Sequence, residues 1–213
     1  MKRWLRTGFF VLLVKPLMLV ILGMNVRRRE ALPREGPAVV VANHNSHLDV
    51  LALMSLFAVG TLHKVRAVAA ADYFLRNRFL AWFALEIIGI IPINRKVDGF
   101  HEDPLAGVSA ALDRGEIVIL FPEGTRGVPE HMSSFRRGVA HLARRRPDVS
   151  FHPVFLHGLG KALPRGEAIL VPFFCDVFVG GPVLWEGDRQ EFMDGLTRQM
   201  ADLAEEGNFP EWC

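Results

Sequence analysis

The first residues with the types and spacing for chemistry are His44 and Asp49, which have four residues between them in the run NHNSHLD. An imidazole titrates near neutral pH, and a carboxylate on one ring nitrogen fixes the tautomer in which the other nitrogen accepts a proton. The run follows an apolar, strand-like stretch, 38–42, and precedes a helix-like one, 50–57. Side chains at a strand-to-helix junction project into a cleft, so we predict that His44 is a general base that Asp49 orients.

The same run allows two other interpretations. Ser46 and Asp49 have the spacing of a helix N-cap pair, so a capping box beside a solvated His44 stays open on this segment alone. His47 lies about one helical turn from His44, which suggests a metal pair. No third ligand is in sight, so we expect His47 to be structural and predict no metal site.

Three further motifs follow along the chain. An apolar block ends in GIIPINR at 89–95, a second apolar run leads into FPEGTR at 121–126, and HPV occupies 152–154. Together with the His–Asp run, these motifs resemble, in order, the four motifs of the glycerolipid acyltransferase family. Gly127 stands where a serine commonly follows in that family, and the fourth motif is met only by Pro153.

The resemblance implies a fold and a set of residues. It implies an α/β sandwich with a largely parallel central sheet flanked by helices. It places His44 and Asp49 at the catalytic centre. The residues that it assigns to acceptor binding lie in the second and third motifs: Arg95, Glu123, Gly124, Thr125 and Arg126.

Acyl transfer from a thioester to an alcohol requires a base, stabilisation of a tetrahedral oxyanion and positioning of both substrates. The sequence has no Gly-x-Ser-x-Gly nucleophile elbow, so we expect the acceptor hydroxyl to attack the thioester directly. The sequence does not identify the oxyanion donors, and backbone N–H groups near 43–46 are one candidate. Arg95 and Arg126 each end an apolar segment, and their guanidinium groups suit a phosphate on the acceptor.

Composition narrows the protein class. Half of the 213 residues are hydrophobic, and the formal net charge is only +2. The two cysteines, Cys175 and Cys213, predict neither a disulfide framework nor a zinc site. The arginines neighbour apolar blocks and there is one tyrosine, so we do not expect a nucleic-acid partner. We expect no cofactor besides the acyl donor, which is acyl-CoA or acyl-carrier protein.

The N-terminal 30 residues form a separate region by composition, with the acyltransferase domain expected at 31–213. Seventeen mostly apolar residues, 8–24, are interrupted by Lys15 and Pro16 and carry basic residues on both sides. Basic flanks prefer the cytoplasmic face, so a single span would leave one flank on the wrong side. We predict a monotopic or peripheral anchor on that face. A cleaved signal peptide is the alternative, but no small-residue cleavage site follows.

The remaining chain alternates strand-like and helix-like segments, which predicts a single α/β domain. The predicted strands are 38–42, 64–70, 116–121, 150–157 and 168–179, and the predicted helices are 50–57, 72–88, 103–114, 135–146 and 188–206. The helix at 72–88 is apolar on more than one face. It is either an ordinary core helix or the wall of an acyl-chain tunnel that also touches lipid, although Glu86 fits poorly with deep insertion.

The predicted function is therefore acyl transfer to a lysophospholipid in phospholipid biosynthesis, with 1-acyl-glycerol-3-phosphate as the expected acceptor and phosphatidic acid as the product. Another lysolipid or glycerol phosphate is the alternative acceptor. A lipid hydrolase would share the His–Asp pair but needs a nucleophile or metal. A membrane-binding module without catalysis would explain the basic and apolar N-terminus but not the His–Asp pair beside FPEGTR.

Overall fold

A seven-stranded sheet forms the centre of the protein in a computed structural model, which describes residues 2–74, 76–94, 103–125, 132–162 and 173–209. The strands are β1 (Asn25–Arg27), β2 (Ala38–Ala42), β3 (Val65–Ala70), β4 (Ile90–Ile93), β5 (Ile117–Leu120), β6 (Ser150–His157) and β7 (Asp176–Val179). Their spatial order is β1-β7-β6-β2-β5-β3-β4. Strands β6, β2, β5, β3 and β4 run in one direction, whereas β7 is antiparallel to β6 and carries β1 parallel to itself. The predicted α/β fold with a largely parallel sheet is confirmed.

The helices cover both faces of the sheet. They are α1 (Lys2–Phe9), α2 (Asp49–Ser55), α3 (Ala71–Phe74), α4 (Arg78–Trp82), α5 (Ala106–Asp113), α6 (Gly138–Arg145), α7 (Leu159–Ala162) and α8 (Arg189–Glu206). Strand β2 is buried along its whole length because both of its faces are covered. Alternate side chains of β2 enter two hydrophobic clusters, one with α1 and α2 and the other with α5, α6 and α8.

Helix α1 continues as π-helical turns at Phe10–Val14 and Leu17–Ile21, on either side of the interruption by Lys15 and Pro16. One face of this N-terminal helix is buried at every fourth residue, as expected for a helix packed lengthwise on a core. The buried residues are Arg6, Phe10, Val14, Met18 and Leu22. The opposite face exposes large apolar side chains, namely Trp4, Leu5, Leu12, Leu13, Leu19, Val20 and Ile21.

Within the described residues, the segment Arg3–Ile21 is the one helix whose length and mean hydropathy of 1.8 would suffice to cross a membrane. Its buried face belongs to the same hydrophobic cluster as strands β2, β3 and β5. Lys15 lies at the edge of this packing, where its ammonium donates a hydrogen bond to the carbonyl of Phe57. The charge at the middle of the apolar segment therefore has a protein partner.

The predicted helix at 72–88 is broken in the structure. It comprises α3, then α4, and a π-helical continuation of α4 at Phe83–Ile88. The side chain of Asn77 caps α4 by accepting a hydrogen bond from the N–H of Phe79. Two strands were not predicted: β1 directly follows the N-terminal helix, and β4 lies in the apolar block before Arg95.

Candidate active site

His44 and Asp49 meet at the carboxyl end of β2, where the chain turns into α2. His44 Nδ1 lies 2.8 Å from Asp49 Oδ2. Because an ionised carboxylate only accepts hydrogen bonds, this contact requires the tautomer with the proton on Nδ1 and leaves Nε2 able to accept a proton. The Asp49 side chain is fully buried, whereas that of His44 is 19 % exposed. The predicted pair is thus arranged as a base and its orienting carboxylate.

Asp49 also organises the loop that carries His44. Its Oδ2 accepts hydrogen bonds from the N–H groups of Asn45 at 2.6 Å and Ser46 at 2.8 Å. Burial raises the pKa of Asp49, while the hydrogen bonds from His44 and from the two N–H groups act in the opposite direction. The bond from Ser46 to Asp49 is half of a capping box, so the capping interpretation and the catalytic one describe the same carboxylate.

The main chain around His44 has its donors engaged. The N–H of His44 donates to Glu123, and those of Asn45 and Ser46 donate to Asp49. These three N–H groups, which were one candidate for the oxyanion hole, are therefore already bonded within the protein. They stabilise the protein's own carboxylates instead.

Two asparagines beside His44 tie its loop to strand β6. The side-chain amide of Asn43 donates to the carbonyl of Leu156 and accepts from the N–H of Leu156. The amide of Asn45 donates to the same carbonyl at 2.9 Å. This role was not predicted from the sequence. The signal that could have indicated it is the position of the two asparagines beside His44 at the end of an apolar strand, where the structure buries both.

The FPEGTR segment reaches His44 from the neighbouring strand β5. The ring of Phe121 stacks on the imidazole with a centroid separation of 4.2 Å. Glu123 is buried, and its Oε1 accepts from the N–H of His44 at 2.9 Å while its Oε2 accepts from the N–H of Ser133 at 3.1 Å. Burial raises the pKa of Glu123, and the two N–H donors oppose that shift.

Gly124 is required by the geometry of the same segment. Its φ of +73° is unfavourable for residues with a Cβ, and a Cβ here would lie 2.7 Å from Arg136 Nε. Arg136 wraps over this turn, because its N–H donates to the carbonyl of Pro122 and its Nε to that of Glu123. Arg136 therefore holds the FPEGTR turn through bonds to two of its carbonyls.

Gly89 has a similar role at the end of the π-helical turn. Its φ is +75°, and a Cβ would lie 2.8 Å from the guanidinium groups of Arg6 and Arg66. Arg6 donates to the carbonyls of Val65 and Ile88, and burial together with Arg66 lowers the pKa of Arg6 to about 10. The side chain therefore stays charged at neutral pH and joins the N-terminal helix to β3 and to the turn before β4.

His44 lines a cavity of about 460 Å³, within the size range of small-molecule sites. The polar part of the lining includes His44, His47, Asp72, Tyr73 and Thr125. The apolar part comes from α2, β3, α4, its π-helical continuation and β4: Val50, Leu51, Val68, Leu80, Phe83, Ala84, Ile88, Ile90 and Ile93. His47 stacks on Tyr73 at a centroid distance of 5.5 Å, so it forms part of the cavity wall.

The other predicted site residues divide into two groups. Gly124 and Thr125 line the cavity with His44. Arg95 and Arg126 lie outside the described residues, as does Gly127, so their role in acceptor binding stays a prediction. Pro153 lies within β6, paired with Val41 of β2, and contributes to the sheet.

Most of this fold matches a known protein family. A family model described as Acyltransferase matches residues 23–157, which include β1 to β6, the His44–Asp49 pair and the FPEGTR segment. The chain belongs to the acyltransferase family. The match leaves out most of the N-terminal helix and all of α8.

Several acyltransferase relatives are named for one activity. The chain is 34 % identical to chloroplastic 1-acyl-sn-glycerol-3-phosphate acyltransferase LPAT1 of Arabidopsis thaliana, over 69 % of this chain and 40 % of that protein. It is 32 % identical to human 1-acyl-sn-glycerol-3-phosphate acyltransferase alpha, over 77 % of this chain and 56 % of that one. The chain thus spans about half the length of these curated relatives.

A solved structure shares the fold. The 1-acyl-sn-glycerophosphate acyltransferase PlsC from Thermotoga maritima superposes with a TM-score of 0.72 at 21 % identity, covering 89 % of this chain and 73 % of that one. The acyltransferase fold, including its mostly parallel sheet, is therefore common to both proteins.

Proposed function

We propose that this chain transfers a fatty acyl group from an acyl thioester to the hydroxyl of a lysophospholipid, with 1-acyl-glycerol-3-phosphate as acceptor and phosphatidic acid as product. The observation that carries the proposal is the His44–Asp49 pair on the wall of a mostly apolar cavity. The names of the relatives supply the acceptor class. The donor is acyl-CoA or acyl-carrier protein, and the proposed reaction uses no further cofactor.

The proposed reaction is a direct displacement. His44 Nε2 takes the proton of the acceptor hydroxyl as its oxygen bonds to the thioester carbonyl carbon. Asp49 stabilises the imidazolium that forms. The tetrahedral intermediate then collapses, the carbon–sulfur bond breaks, and the departing thiolate takes the proton from His44. The base is regenerated, and the products are an ester and a thiol.

The cavity provides a place for the acyl chain next to the base. Its aliphatic and aromatic walls suit a hydrocarbon chain, which gains free energy by leaving water. Phe83, Ala84 and Ile88 line it from the π-helical turn, and Val50 and Leu51 from α2. The thioester carbonyl would then lie at the His44 side of the cavity.

Arg95 and Arg126 are proposed to bind the acceptor phosphate, together with the main chain at Gly124 and Thr125. The support comes from their positions in the sequence. Ile93 stands two residues before Arg95, Thr125 directly precedes Arg126, and both Ile93 and Thr125 line the cavity beside His44. Guanidinium groups bind phosphate through two parallel hydrogen bonds.

A radiolabelled acyl-transfer assay tests the proposal. Purified protein in lipid-containing micelles is given acyl-CoA or acyl-carrier protein with a panel of acceptors: 1-acyl-glycerol-3-phosphate, other lysophospholipids and glycerol 3-phosphate. We expect label in phosphatidic acid, and its absence when His44 is replaced by alanine. Label only in free fatty acid, with or without acceptor, would show a hydrolase and overturn the proposal.

We further propose that the protein is a monotopic membrane protein on the cytoplasmic face, with its N-terminal helix in the plane of one leaflet. The helix packs lengthwise on the domain through Phe10, Val14 and Met18, so it cannot cross a bilayer while that packing is kept. Its outer face is apolar and exposed, as in interfacial helices.

Cysteine labelling tests this topology. Arg3 and Arg34, which are both exposed, are each replaced by cysteine in a protein that lacks Cys175 and Cys213. We expect a membrane-impermeant maleimide to label both sites from the cytoplasmic side only. Labelling from opposite sides would show a spanning helix and overturn the monotopic arrangement.

A further inference from the structure

Helix α4 and its π-helical continuation have two apolar sides. The inner side chains Leu80, Phe83 and Ala84 line the cavity next to His44. The outer side chains Phe79 and Trp82 are 72 % and 43 % exposed. A helix on the surface of a soluble domain usually presents polar residues outward, so an apolar outer side needs an occupant.

The position of this outer side indicates what covers it. Phe83 packs edge-on against Phe9 of the N-terminal helix, with ring centroids 5.3 Å apart. The π-helical continuation of α4 therefore packs against the N-terminal helix, which itself exposes large apolar side chains such as Trp4. Arg76 and Arg78 are exposed at the start of α4, where cationic side chains favour anionic lipid headgroups.

We propose that α4 is a second membrane contact, lying in the headgroup interface beside the N-terminal helix, so that this one helix separates the bilayer from the acyl cavity. The inference rests on the proposed membrane association and extends it to a part of the fold distant from the N-terminus in sequence. Half-buried Glu86 on the same helix is compatible with an interfacial depth rather than deep insertion.

Tryptophan quenching by brominated lipid tests the contact without reference to activity. Three variants each keep one tryptophan, at position 4, 82 or 185, with the other tryptophans replaced by phenylalanine, and are bound to phosphatidylcholine–phosphatidylglycerol vesicles. Trp185 is the matched control, because it packs on Phe192 in the hydrophobic cluster on the opposite face of the sheet from the N-terminal helix.

We expect brominated chains to quench Trp4 and Trp82 but not Trp185. Quenching of Trp4 without quenching of Trp82 would overturn the α4 contact and leave the anchor intact. If none of the three is quenched, the membrane proposal itself fails. In a second experiment, Phe79 and Trp82 are both replaced by serine, which should weaken vesicle binding at least severalfold. The control is Leu184→Ser, because Leu184 is an exposed apolar residue beside Trp185, and this change should not weaken binding.

A second inference concerns Glu123 and has separate support. Both of its carboxylate oxygens are engaged with main-chain N–H groups, one of His44 and one of Ser133. The carboxylate is therefore already bonded within the protein through both oxygens, and Glu123 is only 4 % exposed. Through these bonds it joins the turn after β5 to the residue that supplies the base.

We propose that Glu123 is a positioning residue, which fixes the main chain of His44 so that Nε2 faces the reacting groups. Asp49 fixes the ring through Nδ1, and Phe121 restricts the ring plane by stacking. Glu123 adds a restraint on the backbone from a different strand. This inference rests on the proposed role of His44 as base and differs from a role of Glu123 in binding the acceptor.

The substitution Glu123→Gln separates the two roles. Glutamine keeps one acceptor oxygen, so one of the two main-chain bonds is lost, and misplacement of a catalytic group by about 1 Å reduces turnover by roughly a hundredfold. We expect kcat to fall by about ten- to a hundredfold with the acceptor KM within about twofold of the wild type. A raised KM with unchanged kcat would assign Glu123 to acceptor binding and overturn the proposal.

Glu116→Gln is the matched control, because Glu116 lies at the other end of β5 and forms ion pairs with Arg66 and Arg114. It should lower the thermal midpoint without changing kcat. The ¹⁵N resonances of the His44 ring, assigned by their loss in His44→Ala, should shift in Glu123→Gln and not in Glu116→Gln. This measurement needs no substrate, so it tests the positioning role even if the acceptor is a different lipid. Unshifted His44 resonances in Glu123→Gln would also overturn the positioning role. If Glu123→Gln does not fold, the same measurements are made on Glu123→Asp.

Discussion

His44 is restrained at three different atoms or groups. Asp49 binds its Nδ1, Glu123 binds its main-chain N–H, and Phe121 covers one face of its ring. The restraints come from the helix after β2 and from the turn after β5, so both adjacent strands must be in register for the base to be placed. Such preorganisation removes the need to orient the base in each turnover.

Replacement of His44 by alanine should lower kcat by at least about a hundredfold, the low end for loss of a general base. The apparent KM for the acceptor should stay nearly unchanged, because the proposed phosphate contacts are elsewhere. Steady-state acyl transfer measures both constants. The exposed His141 provides the control, and His141→Ala should behave as the wild type. Near-normal turnover in His44→Ala would rule out the base mechanism.

Asp49→Asn should be damaging for two reasons. An amide donor toward Nδ1 favours the wrong imidazole tautomer, and the Asn45 and Ser46 N–H groups lose a charged acceptor. We expect kcat to fall about as much as in His44→Ala. The thermal midpoint should also fall, and it should fall further than in His44→Ala. Equal midpoints for the two variants would contradict the second role of Asp49.

Gly124→Ala should destabilise the protein by about 1–3 kcal/mol, since alanine is strained at positive φ and its Cβ would displace Arg136. Gly138→Ala is the matched control, because nothing lies within 4 Å of its added Cβ at the start of α6. Glycine-to-alanine at a compatible position stabilises by about 0.4–1 kcal/mol. Thermal unfolding of both variants should therefore shift in opposite directions.

The contact between His44 and Asp49 could be predicted from the sequence because the two residues are close along the chain. It did not identify Asn43 and Asn45 as clamps on Leu156, since that partner lies more than 110 residues away and contributes only main-chain atoms. Every residue type except proline supplies the same main-chain N–H and C=O groups, so such a partner cannot be recognised from the type of residue. For the same reason, the contact of Glu123 with the His44 N–H was not predicted.

At the scale of single elements, the N-terminal helix performs two tasks with opposite faces. Its inner face completes the core, and Arg6 binds the carbonyls that end the π-helical turn and begin β3. Its outer face is apolar and exposed. Deleting the first 24 residues would remove Phe10, Val14 and Met18 from the core, so point substitutions distinguish the two tasks better than truncation.

The double substitution of Leu12 and Val20 by asparagine should weaken vesicle binding and leave the thermal midpoint in detergent unchanged, since both residues are about four-fifths exposed. Met18→Ala should have the opposite effect, costing about 2–5 kcal/mol through the cavity that it leaves in the core. Vesicle flotation and thermal unfolding measure the two properties. Equal effects of both changes on stability would contradict the division of faces.

Element type was predictable where apolar periodicity was strong. Strands 38–42 and 150–157 match β2 and β6 in full. The helix at 72–88 was predicted as continuous because most of its residues are apolar, yet Asn77 caps a new helix within it. Strand β1 has three residues, too few for an alternating pattern, and it forms because β7 offers a free edge.

At the scale of the whole molecule, His152 links the sheet to the segment after β1. Its Nδ1 lies 2.9 Å from the carbonyl of Ala31, and its Nε2 lies 3.0 Å from the hydroxyl of Ser150. A neutral imidazole satisfies both, donating to the carbonyl and accepting from the hydroxyl. Burial lowers the pKa of His152, and the bond to Ala31 opposes that shift only in part.

The free energy of unfolding should therefore decrease as the pH falls. Below the ordinary histidine pKa of about 6.5, the unfolded chain binds a proton that folded His152 does not, until the pH reaches the lowered pKa of the folded state. Thermal midpoints at pH 7.5 and 5.5 should differ more for the wild type than for His152→Asn. The surface substitution His141→Asn should leave the pH dependence unchanged, and an equal dependence in all three proteins would contradict the assignment.

The pairing of β1 with β7 also constrains how the protein is made. Asn25 bonds to Asp176, 151 residues later in the chain. At synthesis rates of about 5–20 residues per second, that partner leaves the ribosome roughly 8–30 s after Asn25. During this interval the sheet lacks its last pair of strands, while the apolar helix before β1 is already complete. If the proposed membrane attachment holds, lipid would cover the outer face of this helix before the sheet is finished. Refolding from denaturant without lipid should then be slower and more prone to aggregation than refolding with vesicles present.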